Sequence, residues 1–217
     1  INKNTRAIFL SHIQGFDALD NDLLKHIEEK GIYLIEDVCE SHGATHDGLK
    51  AGTFGLMSNF SFYYAHHMTT IEGGMVSTND ESIYQMLRIL RSHGMVREAT
   101  TENHKRKWKE KYPDLNPEFI FAYPAYNLRN TEIGAIMGLK QLCRLDSNIS
   151  KRNLNHEYFI KNLNSEIYFT NFKMNGSSNY AFNIILNEKD DDLVHKLTIK
   201  MKENGIEFRR GSAGGGN

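Results

Sequence analysis

The segment IYLIED at residues 32–37 is a short apolar run that ends in two carboxylates. A run of this length with no charged residue before its end is typical of a strand buried on both faces of a parallel sheet. The residues before it, 17–30, place leucines and an isoleucine at helical spacing, and Gly31 follows as a helix C-cap. This order predicts an α/β domain whose ligand site lies beyond the carboxyl end of the buried strand.

Strands and helices alternate on both sides of this segment. Residues 7–10 precede it as a strand, and residues 59–64 and 75–78 follow it as two more. Asn79 or Asp80 then caps a further helix, because either side chain can accept a hydrogen bond from the first helical turn. This alternation predicts a doubly wound α/β domain with a mainly parallel sheet.

The second half of the chain departs from this pattern. Residues 94–126 are polar and contain all three prolines, which predicts a solvated insertion or an arm that reaches another subunit. Helical periodicity resumes through residues 133–163, and the end reads as strand (181–186), helix and strand (206–209). The chain begins with Ile1 and its glycine-rich end follows the last strand directly, so we expect a piece of a longer protein.

The composition limits the classes of function. The chain has 217 residues, of which 40% are hydrophobic, and a formal net charge of -1. A near-neutral charge gives no general reason to expect nucleic acid or an anionic membrane as a partner. No apolar run approaches the roughly 18 residues of a membrane span, and two cysteines cannot form a disulfide framework or an all-cysteine iron–sulfur cluster. We therefore expect a cytoplasmic protein with no metal site.

Asp37 is the first candidate for a binding residue. A carboxylate at the end of a buried strand is poorly solvated and needs a cationic or hydrogen-bonding partner. It can therefore cap a neighbouring helix or pair with a protonated ring nitrogen of a cofactor. Glycine-rich turns, a serine in a strand and two adjacent histidines follow it along the chain, and each of these features is weakly informative alone.

Taken in order, five segments resemble the signature of a known family, the DegT/DnrJ/EryC1/StrS sugar aminotransferases. They are IEDVCESHGA at 35–44, GTFG at 52–55, SFY at 61–63, EGG at 72–74 and YNLRNTEI at 126–133. The resemblance implies the aspartate aminotransferase fold of pyridoxal phosphate enzymes, a three-layer α/β domain. It also implies a homodimer. Residues 1–145 would then be the C-terminal half of the large cofactor-binding domain, and residues 146–217 the truncated start of a small α+β domain.

The same resemblance assigns roles to four residues that bind the cofactor, pyridoxal 5'-phosphate or pyridoxamine 5'-phosphate. Asp37 would keep the pyridine nitrogen protonated, and the Ser61 hydroxyl would bind the phosphate. Asn127 would reach the phosphate across the dimer interface. Glu40 stands where these aminotransferases usually have glutamine near the oxygen of the ring, which leaves its role open.

The chain departs from the family at the lysine that normally attaches the cofactor. No lysine occurs between Lys50 and Lys105, and the corresponding stretch contains His66 and His67. Imidazole cannot attach the cofactor as an amine does, but it can transfer protons near neutral pH. This substitution resembles a subgroup of the family, the nucleotide-sugar 3-dehydratases that act on GDP- or CDP-linked sugars. Gapless spacing places His66 in the lysine position, whereas comparison with the GDP-sugar enzymes favours His67; we take His67 as the preferred base.

The resemblance therefore implies a dehydratase that removes the C3 hydroxyl of a nucleotide-linked 4-keto-6-deoxyhexose. The pathway would be deoxysugar synthesis for O-antigen or another lipopolysaccharide, with glutamate as a possible amino donor. One alternative is an ordinary sugar aminotransferase, in which histidine only shuttles protons. Another is a non-catalytic relative, although the retention of Asp37, Ser61 and Asn127 argues against a decayed site.

Overall fold

A central sheet of four strands organises the structure, a computed structural model that describes residues 1–211. The strand order is β1-β2-β5-β6, with β1, β2 and β5 parallel and β6 antiparallel to β5. A separate hairpin contains β3 and β4. The sheet is therefore mainly parallel, as predicted. The strands are β1 (Ala7–Ser11), β2 (Tyr33–Asp37), β3 (Thr45–His46), β4 (Leu49–Lys50), β5 (Met57–Ser61) and β6 (Gly74–Thr78).

Helices pack against the sheet, and they are the main regular elements in the second half of the described chain. Asp80 caps the second of these helices, since its carboxylate accepts the amide hydrogen of Ile83, and Asn79 does not. Three 3-10 turns lie at Ile13–Gly15, Val96–Glu98 and Pro117–Phe119. None of the helices within residues 1–211 has the length and apolar character needed to cross a membrane. The helices are α1 (Asn21–Glu29), α2 (Glu81–Leu90), α3 (Glu102–Lys111), α4 (Glu132–Lys161) and α5 (Asp191–Glu203).

The second half differs from the sequence prediction in two ways. The strands predicted at residues 181–186 and 206–209 are wrong: the former contains only an isolated bridge between Tyr168 and Leu186, and no strand is assigned in the latter. Two backbone hydrogen bonds join residues 167–169 to residues 185–187, and this pairing is too short to form a strand. Helix α4 runs through the boundary predicted at residue 145, and the division into domains stays a prediction. The glycine-rich end, residues 212–217, lies outside the described residues.

Two apolar clusters hold the strands that carry the predicted site. Leu19 and Ile27 pack against Ile32 and Leu34, which fixes α1 on the face of β2. Beyond the end of β2, the buried residues Val38, Ala44 and Ala51 form the second cluster, against which Phe60 of β5 packs. The first cluster therefore fixes the start of β2, and the second joins the carboxyl ends of β2 and β5.

Residues 173–180 fold back over this edge of the sheet. The Lys173 ammonium lies 2.8 Å from the Asp17 carboxylate, which also contacts His46 at 2.7 Å. Further along, the amide of Thr45 donates to the carbonyl of Gly176 (2.8 Å), and the amide of Ser178 donates to the carbonyl of Gly15 (2.8 Å). The segment is thus tied to the sheet domain by both charged side chains and backbone.

Gly176 allows this close approach, and replacing it with alanine should loosen the segment. Its φ is 73°, and a Cβ atom there would overlap the carbonyl oxygen of Thr45. We expect Gly176→Ala to cost more than about 1 kcal/mol of unfolding free energy, measured by urea denaturation. Gly205→Ala is the matched control, since its φ is 67° and no atom lies within 4 Å. Equal losses in both variants would show that backbone conformation alone, and not the contact with Thr45, is responsible.

Candidate active site

The carboxyl ends of β2 and β5 bring Asp37 and Ser61 to one edge of the sheet. Parallel pairing places Asp37 beside Asn59, whose side-chain amide donates to the Asp37 carboxylate at 2.9 Å. Ser61 lies two residues further along β5 and therefore on the same face as Asn59. Ser61 ends the strand, and its hydroxyl accepts the amide hydrogen of Tyr63 at 3.3 Å. The two residues predicted to bind the ring and the phosphate thus share a face and an edge.

Asp37 is a fixed anion at this edge. Burial would raise its pKa, but hydrogen bonds from Cys39, Asn59 and Ser11 outweigh burial and hold the pKa below its usual value. Burial and the adjacent Asp37 carboxylate raise the pKa of the Cys39 thiol to about 12, so this thiol stays protonated and unreactive. A half-buried carboxylate of this kind can bind the protonated nitrogen of a heterocycle.

Glu36, the other acid of the IYLIED segment, has a different environment. Its side chain is fully buried and accepts hydrogen bonds from the amides of Gly52 (2.7 Å), Phe54 (2.8 Å) and Gly55 (2.7 Å). The Nε2 atom of His12 lies 3.2 Å from the same carboxylate. Glu36 therefore holds the glycine-rich turn 52–55 against β2, the strand that also carries Asp37. The sequence shows an acidic residue before a glycine-rich turn, but the role of Glu36 in binding that turn was not predicted.

His66 and His67 face different surroundings. His66 is half-buried and lies close enough to Glu40 and Asp37 for both carboxylates to favour its protonation, although burial outweighs them and lowers its pKa. His67 is 7% exposed, and its Nε2 atom lies 2.9 Å from the carbonyl oxygen of Ser178 and 3.2 Å from that of Asn179. The charges of Asp37 and Glu40 act on His66, whereas the main influences on His67 are burial, Arg152 and the carbonyls of Ser178 and Asn179.

A third histidine, His42, completes a buried cluster that the sequence interpretation missed. Its ring centroid lies 6.3 Å from that of His66 and 5.9 Å from that of His67. Burial, reinforced by His67 and His66, lowers the pKa of His42 to about 4. The Nδ1 atoms of all three rings, and Nε2 of His42, are buried without a hydrogen-bond partner among the described residues. The cluster is therefore polar but uncharged near neutral pH.

The remaining predicted site residues are Glu40 and Asn127. Glu40 accepts the amide hydrogen of Gln14 at 2.9 Å, and Gln14 has a left-handed backbone with φ of 60°. Asn127 is exposed, and its side-chain oxygen accepts a hydrogen bond from Arg129 at 2.9 Å. The charges of Asp37 and Glu40 therefore act on His66, and Ser61 shares the face of Asp37, whereas Asn127 lies on an exposed segment.

The arrangement suits an anionic, aromatic cofactor more than a metal ion. Within residues 1–211, no group of three or more histidine, cysteine, aspartate or glutamate side chains is placed to hold a metal. Asp37 offers an anion to a cationic ring nitrogen, and the Ser61 hydroxyl offers a hydrogen bond to a phosphate. The Nδ1 atom of His66 is buried without a partner among the described residues, and the charge of Asp37 acts on this ring. These are the groups needed to hold pyridoxal or pyridoxamine phosphate without a lysine.

Comparisons with known proteins give consistent results. The family model described as the DegT/DnrJ/EryC1/StrS aminotransferase family matches residues 1–210. The GDP-4-keto-6-deoxy-D-mannose 3-dehydratase of Yersinia pseudotuberculosis is 37% identical over 96% of the chain and 53% of its own length. The GDP-perosamine synthase of Vibrio cholerae is 34% identical over 96% of the chain and 53% of its own length.

A solved structure, the Escherichia coli GDP-4-keto-6-deoxy-D-mannose-3-dehydratase, superposes with a TM-score of 0.79 at 33% identity. The superposition covers 99% of this chain and 55% of that one. It confirms the aminotransferase-type α/β fold that the motifs predicted. The chain spans about half the length of the curated relatives that it matches.

Proposed function

The chain belongs to the DegT/DnrJ/EryC1/StrS aminotransferase family, and we propose that it acts, within its full protein, as a nucleotide-sugar 3-dehydratase. The observation that carries this proposal is the absence of lysine between Lys50 and Lys105, with His66 instead under the influence of the Asp37 and Glu40 charges. The names of two relatives at 35–37% identity support it, since both are GDP-4-keto-6-deoxy-D-mannose 3-dehydratases. The proposed substrate is accordingly a GDP-linked 4-keto-6-deoxyhexose.

Pyridoxamine phosphate, formed from pyridoxal phosphate with glutamate as amino donor, is the proposed cofactor. One solved relative is described with bound hydrated pyridoxal phosphate, and another with bound GDP-perosamine. The cofactor, when bound, supplies an amine for the sugar ketone and a ring that accepts electrons. Asp37 binds the pyridine nitrogen and keeps it protonated, Ser61 binds the phosphate, and Glu40 lies on the side of the ring oxygen. Asn127 completes the phosphate site of the other subunit in a cytoplasmic homodimer.

His66 is the proposed general base, in preference to His67. A base needs a ring nitrogen that faces the reacting atoms. The charges of Asp37 and Glu40 act on His66, whereas Nε2 of His67 is occupied by the carbonyls of Ser178 and Asn179. One solved relative carries exchanges of a histidine to lysine and of the serine directly before it to asparagine. In this chain the small residue Ala65 precedes His66, which supports the same alignment.

In the proposed chemistry, His66 takes a proton from the carbon that carries the cofactor amine. The imidazolium so formed is then placed to protonate the C3 hydroxyl as it leaves. A lysine amine at this position would capture the cofactor covalently and favour transfer of the amine to the sugar, and no lysine lies between Lys50 and Lys105. Elimination is therefore the favoured outcome.

Product analysis of the full-length protein tests this function. With pyridoxal phosphate, glutamate and a GDP-4-keto-6-deoxyhexose, we expect a 3-deoxy-4-keto sugar and release of ammonia, detected by mass spectrometry and an ammonia assay. A second candidate is amine transfer, because a GDP-perosamine synthase is 34% identical over the same residues. An amino sugar as the main product, with no ammonia released, would establish that candidate and reject dehydration.

A further inference from the structure

His67 has no part in the proposed proton transfer, yet it is among the most tightly held side chains near the site. Its ring is 7% exposed, and Nε2 lies within hydrogen-bond distance of two carbonyl oxygens, those of Ser178 and Asn179. Carbonyl oxygens only accept hydrogen bonds, so Nε2 must carry the hydrogen. Burial, together with the positive charge of Arg152, lowers the pKa of His67 to about 4. The ring is therefore neutral near pH 7 and serves as a fixed donor.

The acceptor of this hydrogen bond, residues 177–180, is anchored on two further sides. The hydroxyl of Ser178 donates to the carbonyl of His42 at 2.7 Å, and the amide of Tyr180 donates to the carbonyl of Gln14 at 3.2 Å. From α4, Arg152 donates to the carbonyls of Asn179 and Tyr180 at 3.2 and 3.1 Å. His67 adds the link between this segment and residues 62–73, the loop that joins β5 to β6 and carries His66.

Tyr180 is the part of this segment that reaches the proposed base. The centroid of its ring lies 5.7 Å from that of His66 and 5.8 Å from that of His67. Its ring therefore covers both histidines from the side of residues 177–180, while Tyr63 packs against His66 at 5.7 Å from within the loop. A histidine that packs against its own loop alone would keep several side-chain rotamers. Packing against a second segment, here Tyr180, restricts them.

We infer that His67 is a positioning residue: by donating Nε2–H to the carbonyls of Ser178 and Asn179, it joins loop 62–73 to residues 177–180 and keeps the Tyr180 ring against His66. This inference rests on the proposed role of His66 as the base. It assigns a function to the second histidine that differs from proton transfer. A base displaced by about 1 Å can lose about 10²-fold in rate, so a link of this kind matters to catalysis.

The pKa of His66 can be used to test this link, because its surroundings shift that pKa in opposite directions. Glu40 and Asp37 favour the protonated form of His66, and burial disfavours it, with the net result that its pKa is lowered. The other rings around it are those of His42, His67, Tyr63 and Tyr180. If Tyr180 moves away, burial decreases while the two carboxylates remain. The pKa of His66 should then rise towards or above its usual value.

Three variants of the full-length protein separate positioning from general destabilisation. His67→Phe keeps an aromatic ring and removes the donor, whereas His67→Gln keeps an N–H donor at a similar reach. His156→Phe is the matched control: His156 is 0% exposed, has no partner for either ring nitrogen among the described residues, and packs against phenylalanines away from the site. The pKa of His66 is measured by NMR titration of histidine labelled at Cε1, without cofactor, and kcat and KM are measured with it.

We expect His67→Phe to raise the pKa of His66 and to lower kcat about 10²-fold with little change in KM. His67→Gln should restore both quantities, and His156→Phe should change neither. An unchanged pKa of His66 in His67→Phe would overturn the inference, as would an equal change in His156→Phe. If His67→Phe does not fold, the nitrogen chemical shifts of His67 in the unmodified protein provide the test. They show which ring nitrogen carries the hydrogen, and a hydrogen on Nδ1 instead of Nε2 would refute the link. A protein with these NMR properties but no dehydratase activity would reject the proposed function and leave the link intact.

Discussion

Replacing His66 with asparagine is expected to slow dehydration by about 10²–10⁴-fold, the usual effect of removing a positioned general base. The asparagine side chain matches that of histidine as far as the Nδ1 position, but its amide cannot take up a proton at neutral pH. Cofactor affinity should change little, because Asp37 and Ser61 provide the proposed contacts to the ring and the phosphate. The measurements are single-turnover rates with the GDP-sugar and equilibrium titration of the cofactor.

His67→Gln is the matched control for this prediction, since it alters the neighbouring histidine and keeps its hydrogen-bond donor. We expect this variant to retain the rate within the same order of magnitude. An inactive His67→Gln together with an active His66→Asn would instead make His67 the base, as comparison with the GDP-sugar enzymes suggested at first. Activity in both variants would show that neither imidazole transfers the proton.

His66→Lys should change the chemistry at the same position. A lysine amine beside Asp37 can attach pyridoxal phosphate covalently, as the lysine of ordinary family members does. We expect the protein to become yellow and to retain the cofactor after sodium borohydride reduction and denaturation. Lysine at position 67 should not give this result, because its side chain would point towards Ser178 and Asn179.

Replacing Glu36 with leucine is expected to lower the unfolding free energy by about 3–5 kcal/mol, because each buried donor left without its acceptor costs about 1–3 kcal/mol. The variant leaves His12 and the amides of Gly52, Phe54 and Gly55 buried without their acceptor. Glu36→Gln should cost less, since one side-chain oxygen remains. Urea denaturation measures both, and Glu29→Leu on the exposed side of α1 is a control expected to stay within about 0.5 kcal/mol.

The same residue predicts how stability depends on pH. Burial would raise the pKa of Glu36, but hydrogen bonds from His12 and the three amides outweigh it and lower the pKa from 4.5. A pKa that is lower in the folded than in the unfolded state stabilises the fold above the unfolded value and loses this effect as the pH falls below it. We expect stability to fall below about pH 4.5 in the unmodified protein, and to fall less steeply in Glu36→Leu. Parallel curves for the two proteins would contradict this role.

Some features of the fold and the site follow from short stretches of sequence. The apolar run that ends in carboxylates predicted a parallel strand, and β2 pairs in parallel with both neighbours, so Asp37 could be placed at the sheet edge from residues 32–37. The prediction that this strand is buried on both faces was wrong, because Tyr33 is exposed and only the face of Leu34 and Glu36 is buried. Asp80 could be identified as a helix cap within one residue, because capping depends on neighbours three positions away. The missing lysine could also be recognised directly, since the positions of Ser61 and Glu72 fix the register between them. These are local properties, and local interactions determine them.

Other features depend on residues that are distant in sequence. His66 and His67 are adjacent and chemically identical, so only their surroundings distinguish them. The carbonyl that holds His67 belongs to Ser178, 111 positions later, and no local pattern predicts that contact. The predicted strands at 181–186 and 206–209 failed for the same reason, because a strand requires a pairing partner. The sequence by itself determined the sheet, its catalytic edge and the family. Only the tertiary structure distinguished the surroundings of the two histidines, since the hydrogen bonds of His67 are made after the chain has folded back on itself.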